Sequence, residues 1–203
     1  MGESIEETLT DSFDPLKVKV ILFDVFGTLV DVSTVPTEEK RRYVRATQQT
    51  PRMNILPPAS WDELPTFPEV VDGIARLRDD VGLFVVTLSN LPIVTQAVIF
   101  RNNGVIVDAM IDLETDCNYK PRAEAYKRAE EVLRQFDKES FLMVSANVGQ
   151  FDKESFLMVS ANVGFGDASM AWARGWQGIH IRGKSKIEDV RSLAMLIDKE
   201  NND

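Results

Sequence analysis

The chain has 203 residues, 44% of them hydrophobic, enough for one compact domain with a small appendage. Its 32 acidic residues outnumber 23 basic ones, and the formal charge of −9 argues against nucleic acid or an anionic membrane surface as the main partner. The single cysteine, Cys117, excludes an intrachain disulfide, and the single histidine, His180, lies in the apolar run Gly178-Ile179-His180-Ile181, which reads as structural.

Residues 1–15 are acidic and polar and read as a flexible N-terminus without a signal peptide. No apolar stretch is long enough to cross a membrane, so a cytoplasmic protein is expected. Val18 to Phe23 is an apolar, β-branched run of the kind buried in a sheet, with Asp24 at its carboxyl end, where parallel α/β sheets bind ligands. Residues 31–65 are polar and proline-bearing and read as an insertion with one helix around Glu38 to Thr47, whose Lys40, Arg41, Arg42 and Arg45 suit a solvated face.

From Pro68, Val70, Val71, Ile74 and Leu77 recur at helical spacing, with Gly82 placed to end the helix. Leu83 to Leu88 reads as a second buried strand ending at Ser89-Asn90. A helix after Pro92 is expected to turn Val94, Val98 and Ile99 inward and to stop at Gly104. Ala109 to Ile111 reads as a short strand. Arg122 to Phe136 reads as a helix with Tyr126, Ala129, Val132 and Leu133 on one face. Phe156 to Ser160 reads as a strand, Ala168 to Arg174 as a helix, Ile179 to Ile181 as a strand and the chain from Ile187 as a last helix. Strands alternating with helices predict a doubly wound, mostly parallel α/β sheet, with a core of residues 16–30 and 66–203.

One segment breaks this pattern: residues 135–149 recur without change as residues 150–164. Two such units do not make a solenoid. Natural duplication, engineering and a gene-model error all remain open as its origin. The copies should not be neighbouring parallel strands, because only Ala146 to Ser155 would join them and a parallel crossover usually needs a dozen or more residues. One copy is expected in the sheet.

Asp24 is followed by a turn in which Gly27 permits close backbone approach and Thr28 supplies a hydroxyl, a good setting for a carboxylate nucleophile. In order along the chain come Phe23-Asp24-Val25-Phe26-Gly27-Thr28, Leu88-Ser89-Asn90, Tyr119-Lys120-Pro121 with Tyr126, and Ser160-Ala161-Asn162 with Gly166-Asp167. Together these resemble the four motifs of the haloacid-dehalogenase (HAD) superfamily. The aromatic Phe26, two residues after the nucleophile, resembles the L-2-haloacid dehalogenase branch, since phosphatases of the superfamily carry a second Asp there. The resemblance implies a Rossmann-like HAD core with a reduced helical cap at 31–65.

It also implies an Asp24 attack on a halogen-bearing carbon, an aspartyl ester and its hydrolysis. In that scheme Lys120 keeps Asp24 ionised and oriented. Thr28, Ser89 and Asn90 bind the substrate carboxylate or the nucleophile's second oxygen, while Ser160, Asn162 and Asp167 position Lys120 and the hydrolytic water; Tyr126 is a further candidate catalytic residue. Phe26 and Arg41 are the candidate substrate-binding groups. The repeat makes Ser145, Asn147 and Asp152 a second set at the same spacing; the later set is preferred because Asp167 leads into a small-residue helix.

No cofactor is expected under this reading. The alternatives are a magnesium-dependent phosphatase with Asp24 and Asp167 as ligands, and a catalytically silent binding domain. The expected partner is a small molecule rather than nucleic acid or membrane, and a homodimer is allowed.

Overall fold

A computed structural model describes residues 14–49, 55–146, 167–181 and 187–202. The apolar runs form strands at Val20–Phe23 (β1), Phe84–Thr87 (β2), Ala109–Met110 (β3), Phe141–Ala146 (β4) and Gln177–Ile181 (β5). All pairings are parallel, in the order β3-β2-β1-β4-β5. Every residue of β1 is buried, as a strand covered on both faces requires.

The helices are Thr37–Gln49 (α1), Val70–Ala75 (α2, continued by a π-helical turn to Asp80), Ile93–Asn103 (α3), Ala123–Val132 (α4), Asp167–Ala173 (α5) and Val190–Asn202 (α6). Alternate strand residues divide between two apolar clusters. Ile21, Phe23, Val85, Leu142 and Val144 face Ile74, Ile99, Phe100, Leu193 and Ile197 of α2, α3 and α6. Val20, Leu22, Val86, Phe141 and Met143 face Tyr126, Ala129 and Ala171 of α4 and α5. This two-sided packing makes the sheet doubly wound.

The insertion is tied at its base, where Asp31 N–H donates to the Pro65 carbonyl (2.8 Å) and Phe67 N–H to that of Leu29 (3.0 Å). Its Val32, Val35, Tyr43, Trp61 and Leu64 are buried in the same cluster as the α2 side of the sheet, so it packs on the core rather than around a centre of its own. Among the described residues, no helix is long and apolar enough to cross a membrane.

Two local expectations are corrected. Val94 is 73% exposed, and α3 instead turns Thr95, Gln96, Ile99 and Phe100 inward. Gln96 can be buried because its amide is bonded at both ends, accepting from the Thr87 hydroxyl (2.7 Å) and donating to the Leu91 carbonyl (2.5 Å). Val132 is also exposed, because α4 ends there and Leu133 takes the inward position.

The strand between β1 and β5 belongs to the first repeat copy; Phe156 to Ser160, expected as that strand, lies outside the described residues. Local propensity cannot separate identical copies. The first is continuous with α4: Phe136 N–H donates to the Leu133 carbonyl (2.9 Å), the Phe136 ring meets Phe84 at 5.4 Å, and the 3₁₀ turn Lys138–Ser140 leads straight into β4.

Deleting residues 150–164 removes no described element and shortens the connection from β4 to α5. The single-copy chain should unfold cooperatively, with stability unchanged or raised by about 1 kcal/mol from loop closure. Loss of cooperative unfolding in urea would show that the second copy is needed for the fold.

Candidate active site

β1 is the central strand, and the chain runs outward from it through β2 and β3 before returning to β4 on its other side. In open α/β sheets the crevice at such a reversal, beyond the carboxyl ends of the strands, is where ligands bind. Asp24 stands at that edge, its N–H donating to the Val144 carbonyl at 2.9 Å.

The turn after it is wound around one acceptor. The Val25 carbonyl takes hydrogen bonds from the N–H groups of Thr28 (3.2 Å), Leu29 (3.0 Å) and Val30 (3.0 Å). Gly27, at φ 87°, occupies the left-handed region that this path needs. The turn directs the buried Thr28 hydroxyl back onto Asp24 Oδ2 (2.9 Å), and Thr28 Oγ1 accepts from Ala146 N–H (2.8 Å) at the end of β4. The first repeat copy therefore supports the site through Thr28.

Lys120, from the loop before α4, places its ammonium 2.8 Å from Asp24 Oδ1 and 2.5 Å from Asp167 Oδ2. Tyr126, on the buried face of α4, donates its hydroxyl to Asp167 Oδ1 (2.8 Å). Burial pushes the Asp24 carboxyl above the usual Asp range; Lys120 opposes this, and Asp167 adds to it. Burial alone would lower the Lys120 pKa, but the Asp167 and Asp24 carboxylates reverse that and hold it above the ordinary lysine value. Lys120 is thus a permanent cation shared by two acids.

The structure brings Asp24, Thr28, Lys120, Tyr126 and Asp167 into one hydrogen-bonded cluster. Ser89 and Asn90 lie at the end of β2, but their side chains bond to backbone. Ser89 Oγ accepts from Leu91 N–H (3.2 Å), and the Asn90 side-chain amide pairs with the backbone of Lys120. Arg41 is on α1, paired with Glu38 at 4.0 Å. Ser160 and Asn162 lie outside the described residues, as do Asn147 and Asp152; Ser145, in the first copy, is a buried β4 residue.

The residue pattern did not single out Tyr43 or Trp61. The Phe26 ring stacks on Trp61 with centroids 4.5 Å apart, and Tyr43 meets Trp61 edge-on at 5.0 Å. Trp61 donates its indole N–H to Glu39 (2.6 Å). Tyr43 and Trp61 are the only aromatic residues between 31 and 65, and that scarcity was the available signal.

A magnesium ion would have to use Asp24 and Asp167. All four of their carboxylate oxygens already accept hydrogen bonds, two from Lys120 and one each from Thr28 and Tyr126. Phe26 supplies hydrocarbon where another carboxylate would help, and among the described residues no group of three or more His, Cys, Asp or Glu converges. Among the described residues, these groups do not form a ready magnesium site.

No protein-family model matches the chain, and no curated protein matches it in sequence. Solved structures do resemble it. The L-2-haloacid dehalogenase PA0810 superposes with a TM-score of 0.66 at 18% identity, over 90% of this chain and 99% of its own. The L-2-haloacid dehalogenase from Xanthobacter autotrophicus, with chloropropionic acid covalently bound, gives 0.58 at 19% identity, over 83% and 79%. A protein named as a HAD-hydrolase, YfnB from Bacillus subtilis, in a magnesium-bound form, gives 0.63 at 17% identity, over 91% and 99%. At these identities the likeness establishes the fold alone: this chain has the Rossmann-like α/β core that these structures share.

Replacing Lys120 with Met would leave Asp24 and Asp167 facing each other without their shared cation. Removing one partner of a buried ion pair costs about 3–5 kcal/mol, and a loss of that size is expected in urea unfolding at neutral pH. The Asp24 pKa, already raised, would rise further, so the folded variant takes up a proton as pH falls and its deficit should shrink in mild acid. An equal deficit at both pH values would contradict this charge assignment.

Proposed function

We propose that the chain is a HAD-superfamily hydrolase with Asp24 as nucleophile, and that its substrate is a 2-haloacid. The observation that carries this reading is the Asp24–Lys120–Asp167 cluster, a carboxylate held by a buried cation, with Phe26 two residues further along the chain and stacked on Trp61. The dehalogenases among the structural neighbours add to it.

In the first step an Asp24 oxygen attacks the carbon bearing the halogen. The carbon–halogen bond breaks, and halide leaves with the bonding pair, so no general acid is required. The side chain two residues after Asp24 can therefore be hydrocarbon, and Phe26 is. Lys120, between both acids, orients Asp24 and holds it ionised against burial. Thr28 fixes the second oxygen, so that one oxygen is directed to the substrate. In the second step water attacks the ester carbonyl, and cleavage returns Asp24, a 2-hydroxyacid and a proton. Asp167, itself held by Lys120 and Tyr126, is the base assigned in this scheme to receive that proton.

Incubation with 2-chloropropionate should release chloride, and Asp24→Asn should reduce the rate by at least about a thousandfold, because the amide is a poor nucleophile. Phosphate release from phosphoesters that requires magnesium, without halide release, would overturn this reading in favour of a phosphatase. Cooperative unfolding without turnover of either class would favour a silent binding domain.

The pH dependence is also specified. Asp24 must be ionised to attack, so kcat/KM should fall as pH falls, with a midpoint above the ordinary Asp value of about 4. A midpoint at or below that value would mean that burial does not control the reacting carboxyl.

A further inference from the structure

Asn90 stands between two elements that the motif pattern treats separately. Its side-chain Nδ2 donates to the Lys120 carbonyl at 2.9 Å, and its Oδ1 accepts from Lys120 N–H at 2.7 Å. This two-point pairing fixes both the position and the rotation of the Lys120 backbone, which one hydrogen bond would not do. The main-chain carbonyl of the same residue accepts the Tyr43 hydroxyl at 2.9 Å. Tyr43 is 7% exposed and belongs to α1 of the insertion, and burial raises the pKa of its hydroxyl, which stays a donor across the working pH range.

The four residues Tyr43, Asn90, Lys120 and Asp24 are therefore linked in series from the insertion helix to the carboxylate. Motif resemblance would direct the Asn90 side chain at the substrate or at the Asp24 carboxylate. Here it is directed at the Lys120 backbone.

We propose that Asn90 is a positioning residue that acts through Lys120, and that Tyr43 couples the seating of the insertion helix to that alignment. The proposal rests on the reading of Asp24 and Lys120 as the reactive pair. Its consequence is mechanical: a shift of α1 moves the Asn90 carbonyl, and with it the backbone that carries the ammonium. Geometry at this level matters, since misplacement by about 1 Å can cost about a hundredfold in rate. Among the described residues, the charged groups facing Asp24 are Lys120 and Asp167, with the Tyr126 hydroxyl behind Asp167.

The test is a substrate-free titration of the Asp24 carboxyl by carbon NMR in the full chain, for the native protein, Asn90→Ser and Tyr43→Phe. Serine suits the turn but is too short to pair with both Lys120 backbone groups, and phenylalanine keeps the Tyr43 ring while deleting its hydroxyl. In Asn90→Ser the Asp24 midpoint should rise by about one pH unit, because the opposing cation is less well held while burial persists. Tyr43→Phe should move it the same way by less. Midpoints unchanged in both variants would overturn the proposal.

With 2-chloropropionate, Asn90→Ser should lower kcat about tenfold or more with KM within about twofold, as loss of alignment predicts. A raised KM with kcat intact would overturn the proposal and return Asn90 to substrate contact. Should the native chain release no halide, the dehalogenation reading fails, and the titration alone decides the role of Asn90. Should Asn90→Ser fail to fold, the Tyr43→Phe midpoint decides.

Discussion

Lys120 carries an ammonium into a place where its side chain is only 6% exposed, between Asp24 and Asp167. Withdrawing such ions from water costs several kcal/mol each, and their attraction offsets this only when geometry is good and the remaining polar atoms are satisfied. The rest of the site meets those conditions. Thr28 and Tyr126 bond the two carboxylate oxygens that Lys120 leaves, and the Asn90 amide occupies the Lys120 backbone. Burial, with Asp167 adding to it, raises the Asp24 pKa against the pull of Lys120, while the two acids hold the Lys120 pKa above the ordinary lysine value.

The parallel sheet supplies the rigidity this cluster needs. Asp24, Ser89-Asn90 and Ala146 all come from the carboxyl edges of β1, β2 and β4, three adjacent strands in register. Asp167 opens α5, which is anchored to α4 through Glu130: Arg174 bonds both carboxylate oxygens, and Trp176 donates to one of them at 3.0 Å. The insertion contributes Trp61 and Tyr43 to an aromatic wall with Phe26 and, through the Tyr43 hydroxyl, a contact with the loop that sets Lys120. Because its apolar residues share the core cluster, the insertion is seated on the sheet by burial as well as by this one bond.

The repeat shows where pattern reasoning stops. Both copies carry the same strand signal and the same Ser-x-Asn spacing, and only the small-residue helix opened by Asp167 favours the later copy. The structure divides the two roles. The strand, with Ser145 and the Ala146 N–H that supports Thr28, comes from the first copy, while the acid comes from Asp167 beyond the second. Continuity with α4 through Phe136 seats the first copy, a contact that no window of the strand itself contains.

The order of strands and helices, the doubly wound class and the placing of Asp24 at a strand end were legible in the sequence alone. Buried parallel strands are apolar throughout, and Gly82 and Gly104 mark helix ends by their left-handed geometry, all of which are local properties. The cluster of Asp24, Lys120 and Asp167 was legible only as separate motifs. Tertiary structure alone decided that Lys120 bridges the two acids, that Asn90 faces the Lys120 backbone, and that Gln96 rather than Val94 turns inward. It also brought Tyr43 and Trp61 to Phe26. Each of these depends on a partner far along the chain, as in the 96 residues between Asp24 and Lys120 or the 47 between Tyr43 and Asn90. Periodicity reports which face of an element is apolar; it carries no information about which distant polar atom that element will meet.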